Sequence, residues 1–227
     1  MAPLWIPLTV LVLRFGLGYR IEGLAEARAR FRRILAERSG PLLICANHLT
    51  LIDSFLIAWA LAPSWRYALR FDLLPWNVPE RTNFSSGFWS ALLTYLAKGI
   101  PITRGGNRPD VAEVLRRVSH LLARGELALI FPEGTRSRTR RVDVESAAWG
   151  VGRVIGGLPG CHVLCVYLRG RAQESWGRIP ARGDRFHVDL SCIEPKSDQR
   201  GMRRSRDLSR QVVTELARME RSFLGDR

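Results

Sequence analysis

The polar and apolar positions alternate in blocks along the chain. Helical spacing of apolar residues predicts helices over 24–38, 54–61, 86–97, 108–123 and 145–156. Short apolar runs of strand length fall at 41–46, 65–70, 99–103, 127–131, 162–168 and 185–192. Strand and helix take turns, which predicts an α/β domain with a mixed, mostly parallel central sheet flanked by helices. The segment Asn107-Arg108-Pro109-Asp110 suits a helix start before the stripe Val111, Leu115, Val118 and Leu122. A last helix is expected over about 203–223, with Leu208, Val212, Leu216, Met219 and Phe223 on one stripe and mainly arginines off it. Such a helix can pack its stripe on a sheet or lie on anionic lipid, and packing is the commoner use.

Two stretches raise the question of a membrane. The N-terminal apolar run is free of charge up to Leu13, with Arg14 next. A spanning helix needs roughly 20 apolar residues, so this run is short. It has no basic leader and no small-residue cleavage site, which argues against a signal peptide. Trp5 and Arg14 suit an element at the bilayer interface, and an ordinary buried helix is the other reading. Residues 41–65 are also hydrophobic, but Asn47, His48 and Asp53 interrupt them and would be costly in lipid. They parse better as a strand, a polar turn and a helix. The expected division is an apolar membrane-associating segment over 1–23, a main α/β domain over 24–200 and a basic amphipathic helix over 201–227 packed on or beside it.

Charge changes the picture of partners. The chain of 227 residues carries a net charge of +14. Only Lys98 and Lys196 are lysines, so nearly all of the positive charge sits on guanidinium groups, which suit phosphates and carboxylates. The excess is +5 over 1–100, +3 over 101–150 and +6 over 151–227, so no basic tail holds it. The four cysteines, Cys45, Cys161, Cys165 and Cys192, form no dense framework, and Cys161-His162-…-Cys165 matches no standard zinc spacing. No Gly-x-Ser-x-Gly elbow or phosphate-binding Gly-x4-Gly-Lys loop is present, and the glycines of 150–157 lack dinucleotide spacing. His120, His162 and His187 lie inside regular patterns and read as structural.

Three segments carry candidate chemistry, each after an apolar run. The first is Asn47-His48-Leu49-Thr50-Leu51-Ile52-Asp53, at the carboxyl end of a strand, where α/β folds bind ligands. An imidazole there can take a proton near neutral pH, and a carboxylate folded back onto it would make a hydroxyl a competent nucleophile. Asp53 could instead simply cap the following helix. The second is Phe131-Pro132-Glu133-Gly134-Thr135-Arg136-Ser137-Arg138, in which Pro132 ends the ladder and Gly134 permits close backbone approach. The third is Gly99-Ile100-Pro101-Ile102-Thr103-Arg104-Gly105, with Arg104 placed to clamp an anion.

The order NHLTLID, GIPITRG, FPEGTRSR resembles the glycerolipid acyltransferase family, typified by 1-acylglycerol-3-phosphate acyltransferase, over roughly residues 20–195. That resemblance implies a sheet-and-helix fold with an apolar acyl channel and a basic membrane-facing surface. It implies His48 as general base, Asp53 as its orienting partner, and no covalent intermediate, metal or cofactor. Glu133, Gly134, Thr135 and Arg136 would form the acceptor site, with Arg104 on the acceptor's phosphate and Asn47 beside it. The donor would be acyl-CoA or an acylated carrier protein, and the acceptor a lysophospholipid on an anionic membrane surface, at the cytoplasmic face of the cell membrane. Cys165 stands where the family usually has a proline, Pro101 where an aromatic residue is common, and Leu49-Thr50 where a small or polar residue is frequent. These departures leave the acceptor open to glycerol 3-phosphate, an ornithine-type lyso-lipid or another hydroxylated lipid. A second class of reading, an inactive basic scaffold binding membrane or nucleic acid, is disfavoured by the intact His48 and Asp53, and no nucleic acid is expected.

Overall fold

The computed structural model describes residues 2–80, 92, 94–103, 106–173, 177 and 179–225, with the side chains of 2–4 left aside. Six strands form one sheet: β1 (Arg20–Ile21), β2 (Leu42–Ala46), β3 (Trp76–Asn77), β4 (Ala128–Ile130), β5 (His162–Gly170) and β6 (Arg185–Ile193). Their order is β1-β6-β5-β2-β4-β3. Only the β5–β6 pair is antiparallel, so the sheet is mixed and mostly parallel, as the alternation of blocks predicts.

β2 lies at the centre, with Leu43 facing Val163 on β5 and Ala128 on β4. All five of its residues are buried, because helices cover both faces. One face carries Leu43, Cys45, Val163 and Cys165. Against it lie α5 (Arg108–Ala123), α6 (Trp149–Gly156) and α7 (Gly201–Gly225). The other face carries Leu42, Ile44, Leu164 and Val166 and meets α2 (Leu24–Glu37) and α3 (Asp53–Leu61). The stripe of α7 is fully committed to this core: Leu208, Val212, Leu216, Met219 and Phe223 are all buried. Each such side chain contributes about 1.5–3 kcal/mol when taken from water. α7 runs so close to α6 that a Cβ on Gly152 would stand 1.8 Å from the Ser205 carbonyl oxygen.

The helix starts follow local chemistry. Asn107 caps α5 by accepting from the Asp110 N–H at 2.9 Å, as the sequence leads one to expect. The predicted helix over 145–156 is divided into a 3-10 turn, Val144–Ser146, and α6. The Asp143 side chain starts that turn by accepting from Glu145 N–H. The helix expected over 86–97 falls mainly outside the described residues.

Two expected strands are absent as such. Residues 65–70 form the helix α4 (Ser64–Leu69), which starts after Pro63, and only Tyr67 faces inward. Its Oη donates to the Ala58 carbonyl at 2.6 Å, so a helical turn satisfies what looked like a strand run. Residues 99–103 touch the sheet only at isolated bridges, Asn77 with Gly99 and Glu80 with Ile102, around Pro101, which has no N–H to offer a ladder. The short strands β1 and β3 were not foreseen.

The N-terminal run folds as α1 (Ala2–Leu11), followed by a π-helical turn, Val12–Gly16. Ile6 and Leu13 are buried, while Leu8, Leu11, Val12 and Phe15 are exposed. No helix among the described residues is long and apolar enough to cross a membrane.

Candidate active site

The centre of the site is the loop between β2 and α3. Asn47 fixes its first step. Its Nδ2 donates to the Leu168 carbonyl at 2.9 Å, and its Oδ1 accepts from the Leu168 N–H at 2.8 Å. The side chain thus copies a strand backbone and prolongs the β2–β5 pairing by one rung. Asn47 was expected in the acceptor site. It is buried, and both ends of its amide are spent on Leu168.

Asp53 then folds the loop back. Its Oδ2 accepts from the N–H groups of Leu49 at 2.7 Å and Thr50 at 2.8 Å, and Thr50 Oγ1 donates to Oδ1. These donors precede α3, so the carboxylate is not serving as an ordinary cap for the helix it begins. The same Oδ2 stands 3.0 Å from His48 Nδ1, which donates to it. That bond leaves Nε2 as the imidazole's proton acceptor. The side chains are 12% and 5% exposed, so the pair is shielded but still reaches open space.

The Phe131–Arg138 segment locks onto this loop twice. The Phe131 ring stacks on the His48 ring, with centroids 3.9 Å apart and planes 15° apart. The Ser137 N–H donates to the His48 carbonyl at 2.9 Å. Between these contacts Gly134 takes φ +71°, a conformation that suits glycine. Thr135 is exposed, Glu133 is buried, and Arg136 is half-buried. Arg136 Nη1 donates to the Gly177 carbonyl at 3.2 Å, and the Gly177 N–H donates to the Leu49 carbonyl at 3.4 Å. Arg136 and the histidine loop therefore share a brace. Arg104 lies outside the described residues, so its expected place beside Arg136 is not drawn.

Burial pushes the Glu133 carboxyl up to about 7. The Asp143 N–H opposes that shift, the Glu220 carboxylate adds to it, and the His48 N–H opposes it more weakly. Its Oε2 accepts from Asp143 N–H over a long 3.5 Å, while Oε1 is buried with no hydrogen-bond partner among the described residues.

His48, Phe131 and Arg136 open onto a cavity of about 600 Å³. α1 supplies one wall with Trp5, Ile6 and Val10, and α3 another with Phe55 and Ala58. Trp5 and Phe55 meet edge to face with centroids 6.5 Å apart. Most of the lining is apolar, but Thr9, Ser54, Asn77, Glu80 and Thr94 also reach it. The Asn77 amide donates to Ser54 Oγ at 2.8 Å. A proton acceptor, a cation and mainly apolar walls thus meet at one cavity, the arrangement expected for an amphiphilic substrate. Among the described residues no cluster of three or more His, Cys, Asp or Glu side chains could hold a metal.

Sequence reasoning passed over Phe131 and Ser137 as individual participants. Their signal was position alone, at either end of the Pro-Glu-Gly-Thr-Arg run. It also gave no sign that α1 would wall the cavity, since that contact joins segments far apart in the chain.

No curated protein matches the chain. The Acyltransferase family model matches residues 26–169, well over half of its length, and spans both the histidine loop and the Phe131–Arg138 segment. The chain therefore belongs to the Acyltransferase family and is an acyltransferase enzyme.

Proposed function

We propose that the protein moves a fatty acyl group from an acyl thioester to a hydroxyl of a lysophospholipid, with 1-acylglycerol 3-phosphate as acceptor and phosphatidate as product. The observation that carries this reading is the His48–Asp53 pair, whose imidazole lines a mainly apolar cavity that Arg136 lines too.

In this mechanism His48 Nε2 takes the proton of the acceptor hydroxyl. The oxygen attacks the thioester carbonyl, forming the new C–O bond. The C–S bond then breaks, and the thiolate leaves with the proton from the imidazolium. Asp53 keeps the ring in the tautomer that exposes Nε2 and offsets the positive charge as it develops. No acyl-enzyme and no metal enter these steps. Arg136 binds the acceptor's phosphate, with Arg104 beside it, while Glu133, Gly134 and Thr135 shape the acceptor pocket. The cavity takes the acyl chain. A donor on coenzyme A or on an acidic carrier protein fits the positive charge of the chain.

The reading places the enzyme on the cytoplasmic face of the cell membrane as a peripheral protein. Support comes from Leu8, Leu11, Val12 and Phe15, which are exposed on an N-terminal segment bearing Arg14. A helix apolar on all sides is normally buried in protein or in lipid. Trp65 and Leu69 of α4, which packs against α1, extend the exposed apolar surface.

Incubating the purified chain with acyl-CoA or acylated carrier protein and a panel of lyso-lipids, with products read by mass spectrometry, tests the reading. Phosphatidate formation that is lost in His48→Ala is expected. Normal turnover by a folded His48→Ala variant would overturn the mechanism, and a product from another acceptor alone would replace the substrate.

A further inference from the structure

Beyond the site, α7 sends one buried carboxylate back toward it. Glu220 is 5% exposed and Arg169, near the end of β5, is 7% exposed. Arg169 Nη1 stands 3.6 Å from Glu220 Oε1. Neither group spends itself only on the other. Arg169 Nη1 also donates to the Arg140 carbonyl at 2.7 Å, and Glu220 Oε2 accepts from the Val142 N–H at 3.0 Å. The pair thus grips the backbone of the arginine-rich loop at two points on either side of Arg141.

The gripped loop is held in an unfavourable shape. Arg140 adopts φ +62°, a left-handed conformation that a residue with a side chain enters at a cost. Such a turn persists only where its surroundings over-determine it, and the two bonds to Arg169 and Glu220 do so. The loop in turn connects to the catalytic histidine. Ser137 Oγ donates to the Arg141 carbonyl at 2.6 Å, and Ser137 N–H donates to the His48 carbonyl at 2.9 Å.

We propose that Glu220 and Arg169 are positioning residues for acyl transfer: their buried pair fixes the Arg140–Val142 backbone and, through Ser137, the place of His48. The proposal rests on the acyl-transfer reading above. Neither residue touches the cavity, so both act at a distance: through the loop, and for Glu220 also through the charge it presents to Glu133. A second brace runs from the same helix: Ser209 Oγ accepts from Gly152 N–H and donates to the Ala148 carbonyl, each at 2.8 Å, and Ala148 N–H donates to the Pro132 carbonyl at 2.8 Å. The Phe131–Val142 stretch is therefore held by α7 near both of its ends.

The decisive variant replaces both partners, Arg169→Met with Glu220→Leu in the full chain. Swapping a whole buried ion pair for apolar residues of similar size commonly leaves stability intact, whereas removing one partner strands a buried charge. The folded double variant should lose about tenfold or more in kcat, since small misplacements of reacting groups are that costly. Donor KM should stay unchanged, because α1 and α3 still wall the cavity. Amide exchange at Ser137 and Val142 should quicken, and Arg169→Lys should retain more of kcat than Arg169→Met. Ser137→Ala, which cuts the chain of contacts while leaving the pair in place, should lower kcat in the same sense and serves if the double variant does not fold. Full kcat in a folded double variant or in Ser137→Ala, or unchanged exchange at Ser137 and Val142, would overturn the proposal. Absence of turnover in the unaltered chain on every donor and acceptor would remove the acyl-transfer reading instead, and the exchange measurement alone would then decide whether the pair holds the loop.

Discussion

Asp53 Oδ2 stands 3.0 Å from His48 Nδ1 while the same oxygen accepts from the backbone N–H groups of Leu49 and Thr50. One atom therefore orients the ring and shapes the loop that carries it. The two uses separate under mutation. His48→Ala removes the ring and its bond to Asp53 but leaves the loop's backbone bonds to Asp53 in place, so turnover should vanish while the melting temperature falls less than in Asp53→Ala. Asp53→Ala strands the Leu49 and Thr50 N–H groups at about 1–3 kcal/mol each, frees Thr50 Oγ1 and His48 Nδ1 as well, and should lower both turnover and melting temperature. Thermal melts beside product assays distinguish these outcomes, and an Asp53→Ala chain as stable as the original would contradict the double role.

Glu133 gives the fold a pH dependence of defined sign. Burial raises its carboxyl from 4.5 to about 7, so over that interval the folded chain holds a proton that the unfolded chain has released. Stability from this group is full below its unfolded value and is lost as pH rises through about 7. Glu133→Gln carries no such proton. The stability of the natural chain relative to this variant should fall steadily from about pH 4.5 to 7, measured by denaturant unfolding at a series of pH values. A difference that is flat or rises with pH would contradict the buried, protonated carboxyl.

The α1–α3 wall predicts chain-length selectivity. Ala58 lines the cavity on α3. Ala58→Phe should fill part of it and shift preference toward shorter acyl donors, lowering kcat/KM for long chains by about tenfold or more if the lost burial is a few methylenes at about 0.8 kcal/mol each. Competition between short and long acyl thioesters reads this directly.

Gly152 predicts a packing limit. A Cβ there would meet the Ser205 carbonyl at 1.8 Å, a backbone atom with little freedom to retreat. Gly152→Ala should therefore destabilise by at least about 1–3 kcal/mol through overpacking between α6 and α7. An unchanged melting temperature would show that the two helices can part at no cost.

Much of this was legible in the sequence because the signals were local. The runs at 41–46 and 162–168 read as buried strands, since both faces of β2 and β5 are covered and no polar residue breaks them. The stripe of α7 was visible for the same reason. The helix at Ser64–Leu69 was misread because six residues are too few to distinguish helical from strand periodicity, and the bond from Tyr67 to Ala58 decides the outcome. Among the site residues, His48 and Asp53 announced themselves as polar breaks in an apolar run. The part played by Asn47 did not, because its partner Leu168 is 121 residues away. The grip of Glu220 on Val142 was hidden likewise: on the helix, an acid between Arg218 and Arg221 looks like a solvated surface residue.

The wall that α1 gives the cavity has a consequence for how such an enzyme diversifies. His48 and Arg136, the proposed proton acceptor and anion-binding residue, sit on the sheet's central loops, whereas Trp5, Ile6 and Val10 belong to a segment before the stretch matched by the family. Substitutions in that helix can resize the space for a fatty chain without disturbing His48 or Arg136. On the proposed reading, part of the substrate range is thereby written outside the stretch that carries reactivity, and a lineage can retune that part while inheriting the reactive loops unchanged.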